Sequence, residues 1–207
     1  MRRRTVLLVL LAAAAGCATT AFASDVGGVS SGRLTVWSGP TSIPASSCSS
    51  GPTQDSYVDS QHRNNSHGGE SNLDVIGSSK PTYTLIQFAP CAPSNALVLT
   101  AGMSLYLRTS PGAGRSYDVY PMTASWPENT SWSASGGAIS GTAVATATTG
   151  GSGSTISWSL TSQVQAIVNG GTNNGWAIGD QSTAYALGSF DSREGANTPS
   201  LALTYYP

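Results

Sequence analysis

Tyr106, Arg108, Asp118 and Tyr120 are the side chains in this sequence whose types and spacing best suit recognition chemistry. They flank the turn-forming run Ser110-Pro111-Gly112-Ala113-Gly114, and on paired strands alternate residues share a face. With Leu105, Leu107, Tyr117 and Val119 turned one way, the opposite face collects two tyrosines, an arginine and an aspartate. Aromatic rings take the C–H faces of sugars, and a guanidinium grips a carboxylate through two parallel hydrogen bonds. Arg63 and Lys80, in neighbouring loops, would extend this face toward acidic chains. These six residues form the candidate ligand site.

Bond-making chemistry finds less support. The two histidines, His62 and His67, share one loop with Asp59 and Glu70; their spacing matches no tight zinc signature and reads as a solvated loop. No G-x-S-x-G nucleophile motif sits between a strand and a helix. Asp55, Asp59, Glu128, Asp191 and Glu194 supply carboxylates, and glycoside cleavage needs a pair about 5–9 Å apart. Arg193-Glu194, just before the last strand, instead falls near the start of the first, where Arg193, Glu194 and Asp55 would form a charge network pinning the chain ends. Asp55 and Glu194 are also the candidates for a structural calcium, which takes six to eight oxygens. No other cofactor is implied, and the sequence reads as that of a protein that is not an enzyme.

The five tryptophans point mostly inward. Trp158 is in register with Ile156 and Leu160, Trp176 opens an apolar strand, and Trp126 and Trp132 flank a turn at Glu128 as packing anchors.

Composition sets the compartment. Only 9% of residues are charged and Gly alone contributes 24, against a typical charged share of about 25%. Arg2-Arg3-Arg4, the apolar run Val6 to Ala15 and the Ala21-Phe22-Ala23 site describe a secretory signal over residues 1–23. The alternative is acylation at Cys17 in Ala14-Ala15-Gly16-Cys17, which would tether a lipoprotein. Without the leader, six basic residues face ten acidic ones, the opposite of the basic stripe that nucleic acid requires. No later apolar run approaches the roughly 20 residues of a membrane span. The expected protein is therefore extracellular and secreted, and in that oxidising setting Cys48 and Cys91 pair as a disulfide.

Residues 24–53 are a Ser/Gly/Pro-rich arm with one short apolar stretch, Leu34 to Trp37, and residues 54–207 form the main module. Within it, short segments alternate apolar and polar residues between Gly, Ser, Asn and Pro clusters: Tyr57-Val58, Leu73-Asp74-Val75, Tyr83 to Phe88, Met103 to Leu107, Tyr117 to Tyr120, Ile156 to Leu160 and Leu201 to Tyr205. Ser162 and Gln165 have capping-box spacing ahead of Val164, Ile167 and Val168, and Asn169-Gly170-Gly171 can end the helix. The fold class is all-β, a sandwich of antiparallel strands with one short helix.

In order, Asp55 to Asp59, Asn64 to Gly68, Leu85 to Phe88, Trp126-Pro127-Glu128 with Trp132, Trp158-Ser159-Leu160-Thr161, Asn174-Gly175-Trp176 and Phe190 to Glu194 with Pro199 resemble the extracellular DNRLRE domains, which are grouped with a carbohydrate-binding module family. The resemblance covers about residues 54–206. It implies a jelly-roll-like sandwich that binds polysaccharide without catalysis, alongside a separate catalytic or cell-surface chain. Ser159 stands where the family commonly carries Asp, His67 where it carries Tyr, and Thr84 where it often carries Arg. A structural or adhesive surface protein without specific glycan binding is the alternative.

Overall fold

The computed structural model describes residues 43–207. The expected secretory leader, Cys17 and the Leu34 to Trp37 stretch lie outside the described residues. Eleven strands follow one another as β1 (Ser46–Ser50), β2 (Pro52–Asp59), β3 (Asn72–Gly77), β4 (Thr82–Phe88), β5 (Leu97–Thr109), β6 (Ser116–Pro121), β7 (Ala145–Thr148), β8 (Ser154–Ser159), β9 (Trp176–Gly179), β10 (Ala186–Asp191) and β11 (Ser200–Tyr206). Helix α1 (Trp132–Ser135) lies between β6 and β7, and α2 (Thr161–Val168) between β8 and β9.

All pairings are antiparallel, and they sort into two faces joined by one bridge, Ile76 to Thr82, at the β3–β4 turn. In the first sheet β3 pairs β10, β10 pairs β5 and β5 pairs β8; β11 lies beside the first half of β5, with β1 at its far edge. In the second, β2 pairs β4, β4 pairs β9, β9 pairs β6 and β6 pairs β7. The orders 3-10-5-8 and 4-9-6-7 are those of a jelly roll, in which the chain wraps as paired Greek keys.

Alternation fills the space between the sheets. Met103, Leu105 and Leu107 of β5, Ile156 and Trp158 of β8, Phe190 and Leu201 meet Ile86, Phe88, Tyr117, Val119, Trp176 and Ile178 of the second sheet, all buried in one core. The Trp158 ring N–H donates to the Tyr117 carbonyl at 2.9 Å, so the large core indole reaches across the sandwich with its polar atom satisfied. The sandwich takes in β1, so its first strand lies inside the segment read from sequence as arm.

Two local expectations change. The α2 N-terminus has no capping box: Leu160 is the N-cap without a side-chain bond. Thr161 Oγ1 accepts the Ala101 N–H instead, and the Gln165 side chain accepts from Val98 N and donates to Ala96 O. These side chains satisfy strand β5 and dock the helix on it. At the other end Gly170 takes φ +90°, the left-handed stop that Asn169-Gly170-Gly171 suggests.

β5 and β6 are not a hairpin. They belong to opposite sheets, and Leu105 and Leu107 face Tyr117 and Val119 across the core rather than beside them. The outward residues of β5 and β6 therefore point to opposite sides of the molecule.

Cys48 on β1 is bonded to Cys91 in the β4–β5 connection, with Cα atoms 6.1 Å apart at a sequence separation of 43. Closing a loop of that length removes denatured-state entropy equivalent to about 3–4 kcal/mol. Replacing both cysteines by serine should lower the unfolding free energy by about that amount in urea titrations, with the fold retained; an unchanged midpoint would show that the bridge adds no stability.

Candidate functional site

The second sheet carries a smaller hydrophobic cluster on its outer face. Val58, Leu85, Tyr120, Met122, Trp126 and Ala177 are buried there, with Tyr83, Trp132, Ala138 and Ile139 packed at the margin. The cover is the excursion between β6 and β7, residues 122–144, held by Thr123 N–H to Ala138 O, Ser140 N–H to Pro121 O, and the Trp126 ring N–H to Asn174 O at 2.9 Å. Tyr120 points outward as its parity requires, yet it is only 5% exposed because this excursion lies over it.

One row of residues crosses this face just beyond the cover. Val58 of β2 lies opposite Tyr83 of β4, and Asp118 of β6 lies opposite both Gly179 of β9 and Thr146 of β7. The Tyr83 ring rests on Gly179, where a Cβ would come within 2.2 Å of its Cε1. Trp132 repeats the device, for a Cβ on Gly136 would meet its indole at 2.8 Å. The two ring centroids are 6.1 Å apart with planes inclined by 31°, and both side chains are half-buried. Tyr120 meets the Tyr83 ring edge-on at 6.0 Å.

Beside these rings Asp118 accepts hydrogen bonds from the Tyr120 hydroxyl at 3.2 Å and from Thr146 at 2.5 Å. Burial and the Asp118 charge push the Tyr83 hydroxyl above its usual range, so it is a neutral donor at any physiological pH. Ser116 and Thr148, bonded to each other, continue the polar margin. Arg63 is set beside α1 by the Ser133 N–H donating to its carbonyl at 2.9 Å, and the turn bearing Lys80 abuts the end of β2 through Ser60 N–H to Pro81 O. Both cations are exposed and make no ion pair among the described residues.

The six residues of the sequence-based site thus divide. Asp118 lies beside Tyr83, with Tyr120 meeting that ring edge-on, the Arg63 backbone meets α1, and Lys80 lies in the β3–β4 turn; Tyr106 and Arg108 lie on the outer face of the first sheet. Arg108 is already engaged, donating to Asp191 at 2.7 Å and to the Ser71 carbonyl at 3.2 Å. Against the upward push of burial, hydrogen bonds from Asn197 and Arg108 hold the Asp191 carboxyl below the usual range. The rest of that face is a shallow surface of Thr100, Gly102, Ser104, Ser157, Ser159 and Ala202, with a depression of about 500 Å³. The sequence reading took Trp132 as a packing anchor, in keeping with its place at the margin of the cluster, and did not single out Tyr83, although Tyr83 has outward parity between buried Thr82 and Thr84.

The histidines do not converge on a metal site. His62 Nδ1 lies 2.6 Å from Asp59, while His67 Nδ1 lies 2.6 Å from Glu70 and its ring stacks on Tyr57 at 3.9 Å. Among the described residues, only Asp55, Glu128 and Glu194 bring three ligand atoms within 4.8 Å of one another. Arg193 already threads this group: its backbone N–H donates to Asp55 at 2.8 Å, and its guanidinium donates to Thr53 O at 2.8 Å and Glu194 at 2.6 Å and lies 2.6 Å from Glu128. The expected charge network is present and ties β2 to the β10–β11 connection, with Glu128 of the excursion drawn in as well. A divalent ion here would need the guanidinium displaced.

A jelly roll with half-buried aromatic rings and a hydrogen-bonded carboxylate on one outer face has the build of a sugar-binding module. Residues 46–205 match carbohydrate-binding module family 96, and the chain belongs to that family. No curated protein matches it.

Burial pushes the Asp55 carboxyl up to about 6, with the Arg193 N–H pulling the other way and the Glu194 charge adding to the rise. Between its ordinary value of 3.8 and about 6 the folded protein holds a proton that the unfolded chain has lost, so stability falls as pH rises through this window, by up to about 3 kcal/mol. In Asp55→Asn the amide stands in for the protonated acid. Its unfolding free energy relative to wild type should rise between pH 4 and pH 6 and level off above; parallel profiles would contradict this.

Proposed function

We propose that this protein is a secreted, non-catalytic module that attaches to an extracellular polysaccharide through the outer face of the second sheet. The observation that carries the reading is the pair Tyr83 and Trp132, each half-buried with its ring against a glycine, with Asp118 beside Tyr83. Sugar C–H faces stack on such rings, and Asp118, Thr146 and the Tyr83 hydroxyl are placed to exchange hydrogen bonds with ring hydroxyls. Arg63 and Lys80 at the margin suit an acidic chain, adding attraction that salt weakens. The leader motif and the Cys48–Cys91 bridge support export.

The absence of bond chemistry in this reading rests on the carboxylates. Asp55 is 1% exposed, and Glu128 and Glu194 are ion-paired with Arg193, so these three carboxylates are not free to serve as an acid–base pair. A structural calcium at Asp55 and Glu194 would have to displace the Arg193 guanidinium, and a rise in melting temperature on adding calcium to chelated protein would reveal it.

The purified protein, screened against alginate, pectin, xylan, cellulose, chitin and peptidoglycan, should bind at least one polymer saturably. Tyr83→Ala and Trp132→Ala should each weaken that binding about tenfold with melting temperature little changed, while Tyr106→Ala leaves it intact. Loss of binding in Tyr106→Ala alone would move the site to the first sheet. Silence across the panel from folded protein would favour the structural or adhesive alternative.

A further inference from the structure

We propose that β1 is a self-association edge: two copies of this chain pair their β1 strands antiparallel about a two-fold axis at Cys48, so that the first sheet runs on from one module into the other.

The open edges of the sandwich carry the argument. A strand that ends a sheet presents a row of unpaired N–H and C=O groups, and folds ordinarily blunt such a row with proline, charge, a bulge or a covering segment. Among the described residues, the other sheet ends have such protection. β7 and β8 lie against each other. β2 begins at Pro52, breaks register between Pro52 and Gln54 and carries Asp59. β3 carries Asp74 and is bridged to β4 through Ile76 and Thr82. β1 has none of these devices: its residues Ser46-Ser47-Cys48-Ser49-Ser50 include no proline and no charge, and they pair with β11 in unbroken register on one side. The edge is also preformed. Cys48 packs on the core and is bonded to Cys91, so the strand is fixed before a partner arrives and loses little conformational freedom on pairing.

The strand's own sequence selects a second copy as the occupant. It reads the same in both directions, so pairing about Cys48 sets Ser46 opposite the partner's Ser50 and Ser47 opposite the partner's Ser49, small hydroxyl side chains at each contact. Ser47 and Ser49 are exposed, and their neighbours Thr204 and Ala202 on β11 are uncharged, as is the whole of β11. Two identical copies therefore meet here without like charges opposing. Five residues span about 17 Å, an edge that buries well under the roughly 800 Å² per partner of a stable interface. The association is accordingly weak, and it acts where many copies crowd together. A two-fold axis perpendicular to the sheet turns the outer faces of both second sheets the same way, so paired copies can engage one surface together and gain effective concentration.

The test is sedimentation equilibrium of the purified protein, its disulfide intact, from about 10 μM to about 1 mM. The mean mass should rise toward twice that of the monomer, with half-dimerisation at about 0.1–1 mM. In Ser47→Lys/Ser49→Lys each new lysine faces a lysine of the other copy, and dimerisation should weaken by about tenfold or more. In Ser47→Lys/Ser49→Glu each lysine faces a glutamate, and dimerisation should match or exceed that of the unmodified chain. Both variants change only exposed positions, and equal melting temperatures check that neither has lost its fold. A mass that stays monomeric across the range overturns the proposal. Equal behaviour of the two variants, both dimeric or both monomeric, overturns the β1 register and places any self-association on another surface. Polysaccharide binding does not enter these measurements, so their outcome is independent of the function proposed above.

Discussion

Arg193 is the tie on which the rest of the structure depends. Its side chain and backbone reach β2 through Thr53 and Asp55, the β6–β7 excursion through Glu128, and its own connection through Glu194. A guanidinium offers five donors in a rigid fork, which is why one residue can join three segments distant in sequence. Partly buried ion pairs are weak evidence for net stability, since desolvation opposes the attraction. The consequence of this network is one of position: with Glu128 held, the excursion stays over the outer face of the second sheet, and α1 arrives with Trp132 beside Tyr83.

The two outer faces of the sandwich are built for different surroundings. On the first sheet, β1, β8 and β11 carry no Asp, Glu, Lys or Arg, and the outward positions are mostly Ser, Thr and Gly. On the second, half the face is closed by a second hydrophobic cluster and the open half ends in aromatic rings. The hydrophobic area that would otherwise be exposed by Leu85, Ala177 and Tyr120 is removed from water by a long connection rather than by a third sheet. The proposed binding surface is the unfinished margin of that cover.

Much of the fold was legible because strand alternation reports directly which side chains face inward. Leu105, Leu107, Tyr117, Val119, Trp158 and Trp176 are buried as their parity requires. Alternation does not say which strand lies beside which. Ser110 to Gly114 looks like a hairpin turn, yet the same length of chain suffices to cross from one sheet to the other, and that single ambiguity separated Tyr106 and Arg108 from Asp118 and Tyr120. The site was harder still, because it rests on contacts between residues far apart in sequence. Nothing near Tyr83 in the chain announces Gly179 beneath it or Trp132 beside it. The charge network was readable because Asp55 and Arg193-Glu194 sit at the two ends of the module, where a closed sandwich brings them together.

The position of the Cys48–Cys91 bond gives the module a mechanical character. β1 is an edge strand held along its length by hydrogen bonds to β11 alone, and a strand in that situation peels one bond at a time when pulled from its end. The covalent link stops the peeling at Cys48 and passes tension to the β4–β5 connection, between a strand of each sheet. Load entering at Ser46 while a polymer holds Tyr83 would then be shared by both layers of the sandwich, and rupture would demand shearing many backbone bonds together instead of unzipping a few in sequence.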